Sequence, residues 1–422
     1  MFQQLYNTVD TLIVGNFVGT QALAAVGATS SFVQLLVGLF VGLCSGAGVI
    51  IAQSFGAGDH DEVNRQVHTA LALAIAGGAA LTVIGLLISR PVLRLMQTPD
   101  EIVGMASEYL QIYFLGMIPQ MIYNMGTNIL RAVGDSKRPL YFLIVASIVN
   151  IVLDIVLVAV IPLGVAGAAI ATVLAQGISA VLGVVYILRG YPELRFTPRQ
   201  LRAATRRAVT SMFWAGLSMG LMSAIYNLGS VALQSSINAL GSVYITAQTA
   251  ARRLAELYFI PGGALGIGVA TFSSQNLGAG RRSRIWQSVK AALAIYFVWW
   301  VFVMAFTFLL GGAAIRGITG STDEVIISNA LLYLKISAPV IPPMAVLVIL
   351  RNMLQGIRHT VEPLLASGLE LVGKVIFAVW LVPVRGYRAV CFCEPTTWVV
   401  CFVFILLAVW RCRGDLRDAE KI

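Results

Sequence analysis

Between Asp10 and Asp59 the chain contains no Asp, Glu, Lys or Arg, and further charge-free runs cover Gln66–Ser89, Tyr109–Leu130, Ala208–Ala251 and Pro395–Trp410. In a soluble domain, about a quarter of residues are charged and such runs are rare. A helix crossing the hydrocarbon core of a bilayer needs roughly 20 mostly apolar residues, so each run accommodates one or two crossings. With 58% hydrophobic and 11% charged residues, the 422-residue chain reads as an all-α polytopic membrane protein. No stretch of Lys or Arg precedes the first apolar run, so a separate signal peptide is not expected.

The polar breaks divide the chain into twelve spans near 1–17, 26–52, 66–90, 104–130, 138–160, 164–188, 208–234, 243–272, 286–312, 327–352, 361–383 and 389–410. The net charge of +10 is unevenly distributed over the connections. Of the 29 Lys and Arg, twenty fall in or at the edges of the even-numbered connections and the C-terminal tail, against five (Arg90, Arg94, Arg316, Arg385, Arg388) in or at the edges of the odd-numbered ones. The positive-inside rule then places the even connections and both termini in the cytoplasm, in a plasma-membrane protein. The excess charge is a topology signal, and no nucleic-acid partner is expected.

The chain also repeats itself. Gln53-Ser-Phe-Gly-Ala-Gly58 recurs as Gln275-Asn-Leu-Gly-Ala-Gly280, an offset of 222 that also aligns Gly19 with Gly241 and Gly46 with Gly268. Later the offset is 224, aligning Tyr109-Leu110 with Tyr333-Leu334, Pro119 with Pro343 and Pro139 with Pro363. Six spans separate equivalent points, and an even number preserves orientation. Such parallel repeats are expected to form two pseudo-symmetric six-helix lobes with a substrate path between them. The expected boundaries are 1–190 for the first lobe, 191–207 for a basic cytoplasmic linker, 208–412 for the second lobe and 413–422 for the tail.

An ionisable residue inside a span is costly and defaults to a functional hypothesis. Asp10 follows Tyr6 by four residues and Asp154 follows Asn150 by four, so each acid shares a helix face with a hydrogen-bonding neighbour. Facing one another, these side chains would handle a proton or offer hard-oxygen ligands to Na⁺. In the second repeat Asp10 maps to Ala232, Asp154 to Ala378 and Asn150 to Lys374, so the acidic cluster belongs to one lobe. Lys374 has Glu370 four residues earlier, and Arg252 and Arg253 precede Glu256 by four and three; structural pairing is the favoured reading. Lys335 has no acid at that spacing and is a weaker candidate to face a cavity, and Glu394 is expected near the interface at the start of the last span.

The two Gly-Ala-Gly segments lack the preceding strand and following Lys-Ser/Thr of a phosphate loop, and read as helix C-caps. Pro119, Pro339, Pro342 and Pro343 should break spans 4 and 10 at matching places. Cys391-x-Cys393 has neither a second pair nor a nearby His, so the five cysteines read as packing residues and no metal site is expected. No catalytic constellation is present; a non-enzymatic protein without a cofactor is expected.

Taken together, FQQLYNTVDTLIVGNFVGTQALAAVG, AQSFGAGD, LRAVGDSKRP, SSQNLGAG and the EP-x-x-W of CEPTTW resemble the multidrug and toxic compound extrusion (MATE) family, in its prokaryotic DinF-like branch. The resemblance runs along the whole chain. It implies twelve helices in two lobes and drug efflux coupled to H⁺ or Na⁺. It also implies a first-lobe cation site at Tyr6, Asp10, Asn150, Asp154 and, from the resemblance alone, Thr172. Spans 7 and 10 carry no Asp or Glu, unlike a NorM-like branch, which weakens any second-lobe Na⁺ site. The FQQLYN segment begins at residue 2, leaving about 16 residues for the first span, which is expected to be truncated. The expected function is antiport of an organic, cationic compound by a monomer in the bilayer; a lipid-linked precursor flippase or a non-transporting remnant are the alternatives.

Overall fold

The computed structural model describes residues 13–96, 98–191, 206–319 and 323–416. Tyr6, Asp10, most of the basic linker and the end of the tail lie outside them. All elements among the described residues are helical: α1 (Thr20–Gly56), α2 (His60–Leu95), α3 (Asp100–Leu115), α4 (Met117–Ala132), α5 (Lys137–Asp154) and α6 (Gly164–Gly190), then α7 (Arg206–Asn238), α8 (Ser242–Gly278) and α9 (Arg282–Leu309). The chain continues through α10 (Gly311–Thr319), α11 (Glu324–Ser337), α12 (Ile341–Gly356), α13 (Val361–Ile376), α14 (Val382–Arg385) and α15 (Tyr387–Arg411). Among the described residues, ten continuous helical stretches are long and apolar enough to cross a membrane. Large apolar side chains stand bare along their flanks, such as Leu87 (71%) on α2 and Val298 (71%) on α9. In water such patches would drive association, whereas lipid is their proper solvent.

Two compact units divide the chain, Met1–Gly220 and Leu221–Ile422. In the first, α4 packs against α1, α2 and α6, and α5 lies along α6. In the second, α12 packs against α8 and α15, and α13 lies along α15. The correspondence follows the sequence repeat closely. Helices α1 and α8 both run 37 residues and start after a glycine of positive φ, Gly19 (112°) and Gly241 (104°).

Both Gly-Ala-Gly segments close their helices in the same way. Gly58 and Gly280 take φ of 74° and 70°, a region open to glycine at little cost. The next N–H groups, of Asp59 and Arg281, then donate back to Ser54 O (3.2 Å) and Asn276 O (2.8 Å) in a six-to-one cap.

The expected breaks in spans 4 and 10 also coincide. Span 4 is interrupted at Gly116 between α3 and α4, and span 10 by a 3₁₀ turn over Ala338–Val340. Inside a membrane each freed carbonyl needs a donor from elsewhere in the protein. Thr82 Oγ1 on α2 donates to Phe114 O (2.8 Å), and Trp300 Nε1 on α9 donates to Ala338 O (2.9 Å). Phe114 and Ala338 are equivalent under the repeat.

Two features escaped the sequence reading. A π-helical segment, Ile155–Val160, follows α5, and another, Phe377–Leu381, follows α13 at the equivalent place. At the other end of α5, Asp135 ties two helices together. Its Oδ1 accepts the Arg138 N–H (3.1 Å), while Oδ2 accepts the hydroxyls of Tyr186 and Tyr191 (3.1 Å each) at the end of α6. Burial and the Asp135 charge push the Tyr191 phenol up to about 12.

Within the first unit the opening turns of α7 cross α1 with glycine on both sides. Gly42 and Gly46 meet Gly216 and Gly220, and a Cβ added at Gly46 would stand 2.3 Å from the Gly216 nitrogen. Small residues four apart let two membrane helices approach backbone to backbone. Gly46→Val is therefore expected to destabilise the chain by about 1–3 kcal/mol through overpacking. Gly177→Ala, at a helical position with nothing within 4 Å of the new methyl, should leave stability unchanged or raise it. Thermal unfolding in detergent checks both; a melting point for Gly46→Val equal to that of the unaltered chain would refute the close crossing.

Candidate functional site

Helices α5 and α6 supply the first group of candidates. Asn150 and Asp154 fall one turn apart on α5, and both are buried, Asp154 completely (0%). Asp154 is the last α-helical residue before the π segment. The wider π turn re-aims the backbone at that point, and such single turns recur at functional positions. Thr172 of α6, also buried, faces the same cleft as Asn150, together with Tyr123 of α4 and Gln176 and Ser179 of α6.

This cleft is partly open to the outside and has room for roughly one water molecule. Sites that hold drug-sized molecules are far larger, roughly 300–1,000 Å³. Asp154 does not line it, lying one turn further along α5. Among the described residues, neither atom of the Asn150 amide nor the Gln176 Oε1 has a hydrogen-bond partner, although all three are buried. A buried polar atom left in that state costs about 1–3 kcal/mol. Tyr123, Gln176 and Ser179 were missed in the sequence; polar residues four apart in an apolar span, as Thr172 and Gln176 are, were the available signal. Tyr6 and Asp10 lie outside the described residues, but Ile13 and Val14, which follow them, pack with Val158 of the π segment and with Val165 and Ala168 of α6.

The second group lies in the other unit. Lys374 is fully buried in α13, with its Nζ 3.1 Å from Glu370 Oε1 and 4.0 Å above the Tyr226 ring. The pairing of Lys374 with Glu370 is thus intrahelical, as its spacing indicated. Arg252 departs from expectation. Its guanidinium leaves Glu256 on the exposed side of α8 and reaches across to Glu394 of α15 at 2.6 Å. Glu394 is the eighth residue of α15, 3% exposed, where it also accepts a hydrogen bond from Tyr333 and stands 4.0 Å from Lys374.

Arg351 Nη2 completes the network, 3.7 Å from Glu370. Two buried carboxylates therefore hold three cations, because a charge removed from solvent must be matched locally. Arg253 and Glu256 are exposed and outside the network. Lys335 is exposed beside the Phe308 ring at 5.9 Å, since Tyr333 and Leu334 take the buried face of α11. The five cysteines are reduced, and Cys391 and Cys393 pack in the apolar core of the second unit.

The MatE family model matches residues 1–156 and 218–380. Among curated relatives, the "Probable multidrug resistance protein YpnP" of Bacillus subtilis is 31% identical over 287 residues, covering 67% of this chain and 63% of that protein. The "Probable multidrug resistance protein YoeA" of the same organism is 29% identical over 304 residues, covering 71% and 66%. These matches span less than two thirds of either relative. A crystal structure of a MATE protein in its bent conformation superposes with a TM-score of 0.91 at 24% identity, covering 98% of this chain and 92% of that one.

Proposed function

The chain belongs to the MatE family, and from that premise we propose that it is a secondary antiporter, exporting an organic cation in exchange for H⁺ or Na⁺. The observation that carries this reading is the polar pocket in an otherwise apolar helix pair. The unsatisfied Asn150 amide and Thr172 share one cleft, a turn from the completely buried Asp154. The cleft suits a water or small cation better than a drug, which separates the coupling ion from the exported compound. Asp10, which lies outside the described residues, is included in the proposed site on the sequence reading alone.

The coupling ion enters at Asp154 and Asp10 from outside and favours release of the organic cation. Discharge of the ion to the cytoplasm, with both chain termini on that side, lets the next organic cation bind. Ion and cargo must bias one two-state equilibrium in opposite directions for this exchange to be coupled. The flippase reading needs cations free to hold a pyrophosphate. Of its candidates Lys335, Lys374, Arg252 and Arg253, Arg252 and Lys374 are already matched by Glu394 and Glu370, and Arg253 and Lys335 lie exposed.

Reconstitution tests the proposal. Proteoliposomes loaded with a fluorescent cationic dye should show dye movement against an imposed inward gradient of H⁺ or of Na⁺, one gradient at a time. Movement under neither gradient, with the protein folded, would overturn antiport and favour the non-transporting reading.

A further inference from the structure

At the ends of α12 and α15 three side chains of different chemistry converge. His359 lies in the α12–α13 connection, Glu362 in the first turn of α13, and Cys412 directly after α15. His359 Nδ1 stands 3.3 Å from Glu362 Oε1 and 3.4 Å from Cys412 Sγ, and the last two atoms are 3.7 Å apart.

We propose that these three residues form a Zn²⁺ site. Bonds of about 2.3 Å to sulfur and 2.0–2.2 Å to nitrogen and oxygen, arranged tetrahedrally, place the three donor atoms about 3.3–3.6 Å from one another. The observed triangle meets those edges to within about 0.1–0.2 Å. One thiolate, one imidazole and one carboxylate suit zinc and not the hard ions Mg²⁺ or Ca²⁺. A thiolate and a carboxylate also balance the two charges of the ion, which matters for a half-buried site at a membrane end. The second oxygen of Glu362 is buried with no hydrogen-bond partner among the described residues, so the carboxylate has acceptor capacity to spare. Three protein ligands leave the fourth position to water.

The backbone is shaped to present the imidazole. Arg358 takes a φ of 66°, and the His359 N–H then donates to Leu354 O at 2.9 Å. Non-glycine residues adopt that conformation at a cost of about 1–2 kcal/mol. The equivalent residue in the first unit is Gly134, with φ 93°, followed by Asp135 in the place of His359. Both units thus tie the start of their fifth helix to the end of their sixth. The first does so with a carboxylate and two tyrosines, the second with three metal-binding atoms.

The test uses the full chain in detergent. One equivalent of Zn²⁺ is expected to bind and to raise the melting temperature, with Mg²⁺ doing neither; Co²⁺ in its place should show a thiolate-to-metal charge-transfer band. Cys412→Ser should abolish the band. His359→Ala and Glu362→Gln should each weaken Zn²⁺ binding at least about tenfold, and Cys391→Ser should leave it unchanged. Absence of stoichiometric Zn²⁺ binding by the unaltered chain would overturn the site, as would binding undiminished in folded Cys412→Ser. The melting shift in the unaltered chain needs no variant, so the proposal stays exposed even if a substitution prevents folding.

Discussion

Glu394→Ala is expected to cost the second unit about 3–5 kcal/mol, the usual penalty for removing one partner from a buried ion pair. Arg252 would lose its 2.6 Å partner and Tyr333 its acceptor, and Lys374 would keep only Glu370. The cost arises from the buried charges left unmatched more than from the attraction removed. Replacing both partners with apolar side chains of similar volume, Arg252→Met with Glu394→Met, should therefore restore much of the stability. Detergent melting curves for the single and double variants provide the comparison. A single variant as stable as the unaltered chain would show that Glu394 is solvated, contrary to its burial.

The second large effect is functional. Asp154→Asn preserves shape and buries no new charge, so folding and membrane insertion should be retained. Coupled export should fall to the level of protein-free liposomes, because an amide can neither carry a proton nor supply an anionic ligand to Na⁺. The two expectations are opposite in kind. Glu394 is held among cations and its loss should be structural, whereas Asp154→Asn keeps the size and shape of the side chain and should spare the fold. Export at the normal rate from folded Asp154→Asn would remove Asp154 from the coupling machinery.

Much of the fold was legible because the bilayer restricts the choices. A charge-free run long enough to cross must be helical, and a repeat of six spans must superpose in the same sense. The glycine caps and proline breaks were legible for a similar reason, since each depends on local backbone chemistry. The pairing of Lys374 with Glu370 followed from helical spacing. Arg252 shows where that reasoning stops: Glu256 is its neighbour along the chain, but Glu394, 142 positions away, is its partner. Spacing within a helix predicts adjacency on its surface and says nothing of which face turns inward.

The same limit explains the cysteines. Read by spacing, Cys391 and Cys393 drew attention and gave no metal site, while Cys412, 53 positions from His359, carried no such signal. The sequence by itself determined the helical class, the repeat and the presence of two acid-bearing segments in one half. These rest on hydropathy and backbone preference, which act over a few turns of chain. Only the tertiary structure decided that Glu394 is buried at the hub of an ion network. It alone placed Asp154 at an α-to-π junction and brought Asn150 and Thr172 to one cleft. Those outcomes depend on which helix faces pack together, a choice made by side-chain fit and charge matching between segments far apart in the chain.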